Sequence, residues 1–193
     1  IRQALASLQE ALTPAEFEAR TACRSFILAM ADATATLLIP PLINSIQTQA
    51  PGISLRVLPL TTRDPRKLIE AGEIDLAIGY FPAALAALTA QTMQSNTPER
   101  FAQQRLYESD YVCVMRRDHA LAHLPLSLEV YCAANHLLVS FSGRPYGFVD
   151  EALSAINRHR RIVLTVNQFY TAGRVVASSD LLTVLPRHFL EST

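Results

Sequence analysis

The sequence predicts an α/β fold of two similar lobes, each built on a parallel sheet and joined by extended segments. Three observations carry this. Residues 26–80 read strand, helix, strand, helix, strand. Residues 136–185 repeat the same alternation without repeating the sequence. Between them, residues 104–116 hold Leu106, Tyr107, Tyr111, Val112, Cys113, Val114 and Met115, which predicts one strand long enough to bridge the lobes.

The elements follow in order. Residues 1–12 place Ile1, Ala4, Leu5, Leu8, Ala11 and Leu12 at helical spacing, with no cap signal before them, and Thr13-Pro14 breaks the pattern. Residues 15–25 are ambiguous, with Arg20 and Arg24 around Cys23. Residues 26–30 form an apolar run that fits a strand buried on both faces. Two prolines cannot both sit deep in a helix, since each lacks an N–H. The next helix is therefore expected to begin near Pro41 and to end at Gln49, before Pro51-Gly52, leaving residues 33–39 as a turn. Residues 53–58 read as a strand. Residues 65–71 read as a helix closed by Gly72, and residues 74–78 as a third strand. Residues 83–93 are Ala/Leu-rich and helical, followed by a loop at 94–98. Ser127 caps a short helix. Then come a strand at 136–141, a helix at 148–157, a strand at 161–166, a helix at 169–178 and a strand at 181–185. Pro186 opens a last short helix.

Composition excludes several classes. The 193 residues carry 17 Lys+Arg against 17 Asp+Glu, a formal net charge of +0, so no basic excess grips nucleic acid. Cys23, Cys113 and Cys132 are odd in number and match no zinc or redox spacing, which predicts reduced thiols in a cytoplasmic protein. No apolar run approaches the ~18 residues of a membrane span. The first residues lack the apolar core of a signal peptide, which disfavours export. His119 and His123 stand four apart, a metal-binding spacing on a helix, but Pro125 argues for a loop there, and no metal or cofactor is expected. No Gly-x-Ser-x-Gly elbow, P-loop or dinucleotide fingerprint occurs, and Asp32 has no carboxylate partner for acid–base work, so no enzyme is expected. Arg158-His-Arg-Arg161 reads as a solvated helix end rather than a phosphate site.

In parallel sheets ligands bind beyond the carboxyl ends of the strands. Those ends are Met30-Ala-Asp32, Leu58-Pro-Leu60, Gly79-Tyr-Phe81, Ser140-Phe-Ser142 and Asn167-Gln-Phe169. They suit a small polar or aromatic molecule. Thr34 and Thr36 offer hydroxyls beside helix N–H groups, or cap that helix. Asp32 accepts from a ligand hydroxyl, or caps the same turn. Gly79 admits close backbone approach or a turn. Ser140 and Ser142 end a strand facing the cleft. Phe169 stacks on an aromatic ring, or is helix core.

These residues together resemble the effector-binding domain of LysR-type transcriptional regulators. The resemblance rests on Ala31-Asp-Ala-Thr34 before Leu37-Leu-Ile-Pro40, on Ala50-Pro-Gly-Ile53 and on Ile74-Asp-Leu-Ala-Ile-Gly79. It continues through Arg105-Leu-Tyr107, Tyr111-Val-Cys-Val114, Arg117-Asp-His-Ala-Leu-Ala122, Leu126-Ser-Leu128 and Asp180-Leu-Leu-Thr-Val-Leu-Pro186, and covers roughly residues 22–190. Within the family the chain is most similar to regulators of aromatic catabolism and nodulation. The resemblance implies two Rossmann-like lobes of the periplasmic-binding-protein type 2 fold, with a small-molecule inducer, aromatic or carboxylate, between them. Tyr146 and Gln168 fall where similar regulators contact their effector. It implies a homodimer or homotetramer, no membrane partner, and DNA contact only through an N-terminal domain outside this chain. Residues 1–21 would be the end of a dimerisation helix and a connector, residues 22–106 lobe 1, with an insertion at 83–103, and residues 107–193 lobe 2. Family members return to lobe 1 after the Leu-Pro motif; here the sequence stops at Thr193. The other expectation is an extracytoplasmic solute-binding protein of a transporter, against which the absent signal peptide and helical first residues speak.

Overall fold

The computed structural model describes residues 17–94 and 101–191. The expected helix at 1–12 and most of the loop at 94–98 lie outside the described residues.

The first sheet has order β2-β1-β3, all parallel. Its centre, β1 (Arg24–Met30), becomes progressively buried until Leu28, Ala29 and Met30 are core. It pairs along its whole length with β2 (Ile53–Pro59), Arg24 opposite Ile53 and Met30 opposite Pro59. β3 (Leu76–Ile78) is shorter than the pattern predicts. The reason is at Asp75: its backbone N–H donates to the Ile27 carbonyl, but its side-chain Oδ2, not a backbone carbonyl, accepts from the Ile27 N–H at 2.8 Å. A carboxylate thus replaces one rung of the ladder.

Helix α1 (Asp32–Gln49) corrects the proline argument: it starts nine residues before Pro41 and runs through Pro40 and Pro41. The prolines forfeit two helical hydrogen bonds, but the first turn is anchored by tertiary burial, with Ala33 1% and Thr34 7% exposed. Tertiary packing outweighs the local preference. α2 (Arg66–Glu70) ends before Gly72, which takes φ 69° as a left-handed stop. α3 (Pro82–Gln94) follows β3.

The expected long strand at 104–116 is observed only as β4 (Tyr111–Val114), antiparallel to β7 (Thr183–Pro186). Pairing extends one step further, Arg187 N–H donating to the Asp110 carbonyl. Upstream, Tyr107 turns instead toward His188 and Thr34. An apolar run without a neighbouring edge stays irregular.

In the second half β5 (Asn135–Val139) and β6 (Arg161–Val166) are parallel. Leu182 joins β5 to the approach of β7, donating to the Asn135 carbonyl and accepting from Leu137 N–H. α4 (Leu128–Ala133) is capped as expected, the Ser127 hydroxyl accepting from Val130 N–H at 3.3 Å. α5 (Phe148–Ala155), α6 (Phe169–Ala177) and the short α7 (Arg187–Glu191) complete it.

Two clusters form the core. The larger joins Leu137, Phe169, Ala172, Val176, Leu185 and Phe189 of the second half to Ala31 and Ala33 at the start of α1. The smaller, Ala29, Leu60 and Ile74, lies in the first half. Phe141 packs against both. The exits of β1, β5 and β6 therefore converge.

Candidate functional site

The convergence is fixed by a hydrogen-bonded carboxylate. Asp32 opens α1, yet its side chain reaches the start of α6: Oδ1 accepts from Phe169 N–H at 3.1 Å and Oδ2 from Tyr170 N–H at 2.8 Å. These are amides that a helix cannot satisfy internally, at the end where its dipole favours negative charge. Gln168, at the N-cap of α6, leaves them free, because its Oε1 accepts from the Thr171 hydroxyl. An exposed ion pair, Arg63 to Glu151 at 2.8 Å, makes a second tie between the halves.

Aromatic rings surround this junction. Phe141 meets Phe169 edge-on at 5.8 Å, Tyr111 lies 4.7 Å from Phe148 and 6.4 Å from Phe169, and Phe81 packs with Phe141 against the smaller core. Tyr111 retains 40% of its surface, yet burial, aided by nearby Tyr107 and Tyr80, pushes its phenol up to about 12. Tyr107 donates a long 3.4 Å hydrogen bond to Thr34 Oγ1 and stands edge-on to His188, whose Nδ1 bonds Ser109 Oγ at 2.8 Å.

The residues proposed from sequence divide accordingly. Asp32, Thr34, Gln168 and Phe169 are gathered at the junction. Phe169, 5% exposed, takes the helix-core alternative rather than a free stacking face, because it lies on the buried face of amphipathic α6. Asp32 spends a hydrogen bond from each oxygen on α6. Ser140 is buried and its hydroxyl lies 3.5 Å from that of Ser142, at the exit of β5. Gly79 sits at the exit of β3, where a Cβ would come within 3.0 Å of the Phe81 ring and 3.3 Å of Leu60, so a side chain there fits only if those neighbours shift slightly. Two residues turn away. The Thr36 hydroxyl bonds back to the Asp32 carbonyl, and the exposed Tyr146 donates to Ser154 of α5. Tyr111, Phe148 and Phe141 were not singled out from the sequence. The strand-exit rule placed Phe141 at the rim, but nothing local signals that Tyr111 and Phe148 meet.

Two grooves stand out: one of about 320 Å³ over the first sheet, lined by Phe26, Leu28, Ile46 and Leu55, and one of about 490 Å³ beside α6 and α7, lined by Val114, Arg117, Arg174 and Phe189. The second groove borders the junction through Tyr170, whose N–H donates to Asp32.

The basic run Arg158-His-Arg-Arg161 needs correction. Arg160 is 1% exposed, not solvated: it forks onto Asp150 at 2.7 and 3.0 Å and donates to the Tyr131 hydroxyl at 2.8 Å. Burial pushes the Asp150 carboxyl upward, but Arg160 and the Gly147 amide outweigh it, leaving it below the usual range. His119 is structural: its Nδ1 accepts from Leu121 N–H and its Nε2 faces the Asp180 carbonyl. No group of three or more metal-ligating side chains occurs among the described residues.

Two α/β halves whose parallel strands end at one shared junction define a ligand-binding fold of the periplasmic-binding-protein type 2 class. The chain belongs to the LysR family: the model described as "LysR substrate binding domain" matches residues 19–193. It is 32% identical to the HTH-type transcriptional activator NagR of Ralstonia over 96% of this chain and 58% of that protein, and 30% identical, with the same coverage, to the activator NahR of Pseudomonas putida. The probable transcriptional regulator PA0477 of Pseudomonas aeruginosa matches in structure with a TM-score of 0.78 at 29% identity, covering 99% of this chain and 61% of that one. The chain thus spans 58% of the length of these curated relatives. The transporter reading finds no support in these matches.

Proposed function

We propose that this chain is the inducer-sensing domain of a cytoplasmic, bacterial LysR-type transcriptional activator, with the inducer held where the strand exits of the two halves meet. The observation that carries the reading is the ring-lined wall of Tyr111, Phe148 and Phe141 beside the Asp32–α6 contact. Its chemistry fits a small aromatic molecule: rings supply apolar area and edge-to-face contacts, and Thr34, Ser140 and Gln168 supply polar groups around them. Asp32, Gly79 and Ser142 stand on the same rim and Phe169 forms its floor, while Thr36 and Tyr146 bond away from it. Sensing proceeds by population shift. An inducer with greater affinity for one arrangement of the halves biases that arrangement, and packing between subunits of a homodimer or homotetramer carries the bias to DNA-binding parts outside this chain. NagR and NahR, both named as activators, support the direction of the response.

Calorimetric titration of the full-length protein with benzoates and phenols tests this. Tyr111→Ala and Phe148→Ala should each weaken binding about tenfold or more, the scale of one aromatic contact and its buried area, with unchanged circular dichroism. A ligand whose affinity ignores both substitutions binds elsewhere and overturns the placement.

A further inference from the structure

The N-terminus of α6 is the place at the junction where negative charge is best received, and a carboxylate of the chain itself already occupies it. Asp32 stands 137 positions before Phe169 and divides its two oxygens between the amides of Phe169 and Tyr170. It makes no side-chain cap on its own helix, and Gln168 makes none on α6. The contact is therefore wholly a tie across the two halves, charge-assisted at both bonds.

We infer that Asp32 is an internal anion that fills the anion-receiving end of α6, shuts external carboxylates out of it and turns that end of the junction into an acceptor. A carboxylate carries about four acceptor lone pairs, and α6 uses two of them. What remains receives a donor, such as a phenol or alcohol hydroxyl. A second carboxylate entering there meets like charge and finds its amides taken, and it competes against a partner tethered in the same chain. The ligand half of this inference rests on the junction being the inducer site; the occupation of α6 rests on its own geometry. The two are separable because the test needs no inducer.

Thermal unfolding of the full-length protein is followed in sodium chloride and in sodium acetate at equal ionic strength, for the wild type, Asp32→Ala and Asp32→Asn. Asp32→Ala leaves the two α6 amides unpaired and should unfold about 6 °C or more lower in chloride, the effect of losing two charge-assisted bonds in a chain of this size. Acetate should recover about 2 °C or more of that loss, by placing an external carboxylate on the vacated amides. The wild type should show no acetate-specific gain, and Asp32→Asn, which keeps one acceptor oxygen and the same volume, should lose less and gain nothing. An Asp32→Ala protein indifferent to acetate, or a wild type that gains as much as the variant, overturns the inference. Should Asp32→Ala fail to fold in either salt, Asp32→Asn decides: a wild-type midpoint for it overturns the tie, and a lowered midpoint without acetate gain upholds it.

Discussion

Each half of the molecule uses an aspartate to complete a backbone pattern and an arginine to balance it, but the settings differ. In the first half Asp75 supplies the missing rung to Ile27 and lies 3.5 Å from Arg24, with the side chains 34% and 64% exposed. In the second half Asp150 accepts from Gly147 N–H at the start of α5 and is gripped by Arg160, with 10% and 1% exposed. The buried pair extends into a chain of bonds: Arg160 reaches the Tyr131 hydroxyl, and the Tyr131 carbonyl bonds His136 Nε2 at 2.7 Å, leaving the buried His136 Nδ1 without a partner. Among the described residues the first half has no pair so deeply buried: Arg66 also forks onto Asp64, at 2.8 and 2.6 Å, but their side chains stay 26% and 44% exposed. The same two side-chain types are thus a fastening in one half and trim in the other, and burial decides which.

The sharpest way to break this comparison is Arg160→Met. It removes one partner of a buried pair and strands the Asp150 carboxylate, which costs about 3–5 kcal/mol by general experience with such pairs. Urea denaturation should show that loss. A change below about 1 kcal/mol would mean that the two aspartates are equivalent after all.

The sequence carried most of the regular structure, because alternating apolar runs and turn residues are local signals. The strand at 161–166 and the helix starts at Phe148 and Phe169 were readable to the residue. What was not readable depended on distant partners. Pro40 and Pro41 argued for a late helix start, and only the burial of Ala33 and Thr34 against the second half reverses that. The run at 104–116 was apolar enough for a strand, but only residues 111–114 find an edge to pair with. At the site, Asp32 was legible as a polar group at a strand exit. Its bond to an amide 137 positions away was not, because nothing near either residue encodes the meeting. Arg160 was misread for the same reason: three arginines and a histidine in a row look solvated until Asp150 and Tyr131 close over one of them.

A smaller effect separates the halves by pH. Burial holds the His136 imidazole below its usual range, Arg160 adding to the depression while the Tyr131 carbonyl and Asp150 oppose it. Burial also lowers His188, against the Ala33 backbone and Glu191. The folded protein therefore keeps both rings neutral where the unfolded chain begins to protonate them. Stability is fully retained above about pH 6.5 and falls as pH drops below that value, until each folded ring also takes its proton. Thermal midpoints between pH 7 and 5 should decline. His136→Gln should flatten that slope, whatever it does to the midpoint at pH 7. An unchanged slope would assign the dependence to His188 and detach it from the Arg160 network.

The smallest expected effect is at the exposed counterpart. Arg24 lies 4.9 Å over the Phe26 ring as well as near Asp75, so Arg24→Met removes a long ion pair and a cation–π contact together. Exposed examples of each contribute up to about 1 kcal/mol and the pair is screened by salt, while methionine keeps an apolar cover on the ring. The expected loss is at most about 2 kcal/mol, shrinking in high salt, and Asp75 keeps its bond to Ile27 throughout. A loss as large as that of Arg160→Met would mean that Arg24 holds Asp75 in its rung of the sheet. The first half would then depend on its exposed pair as the second depends on its buried one.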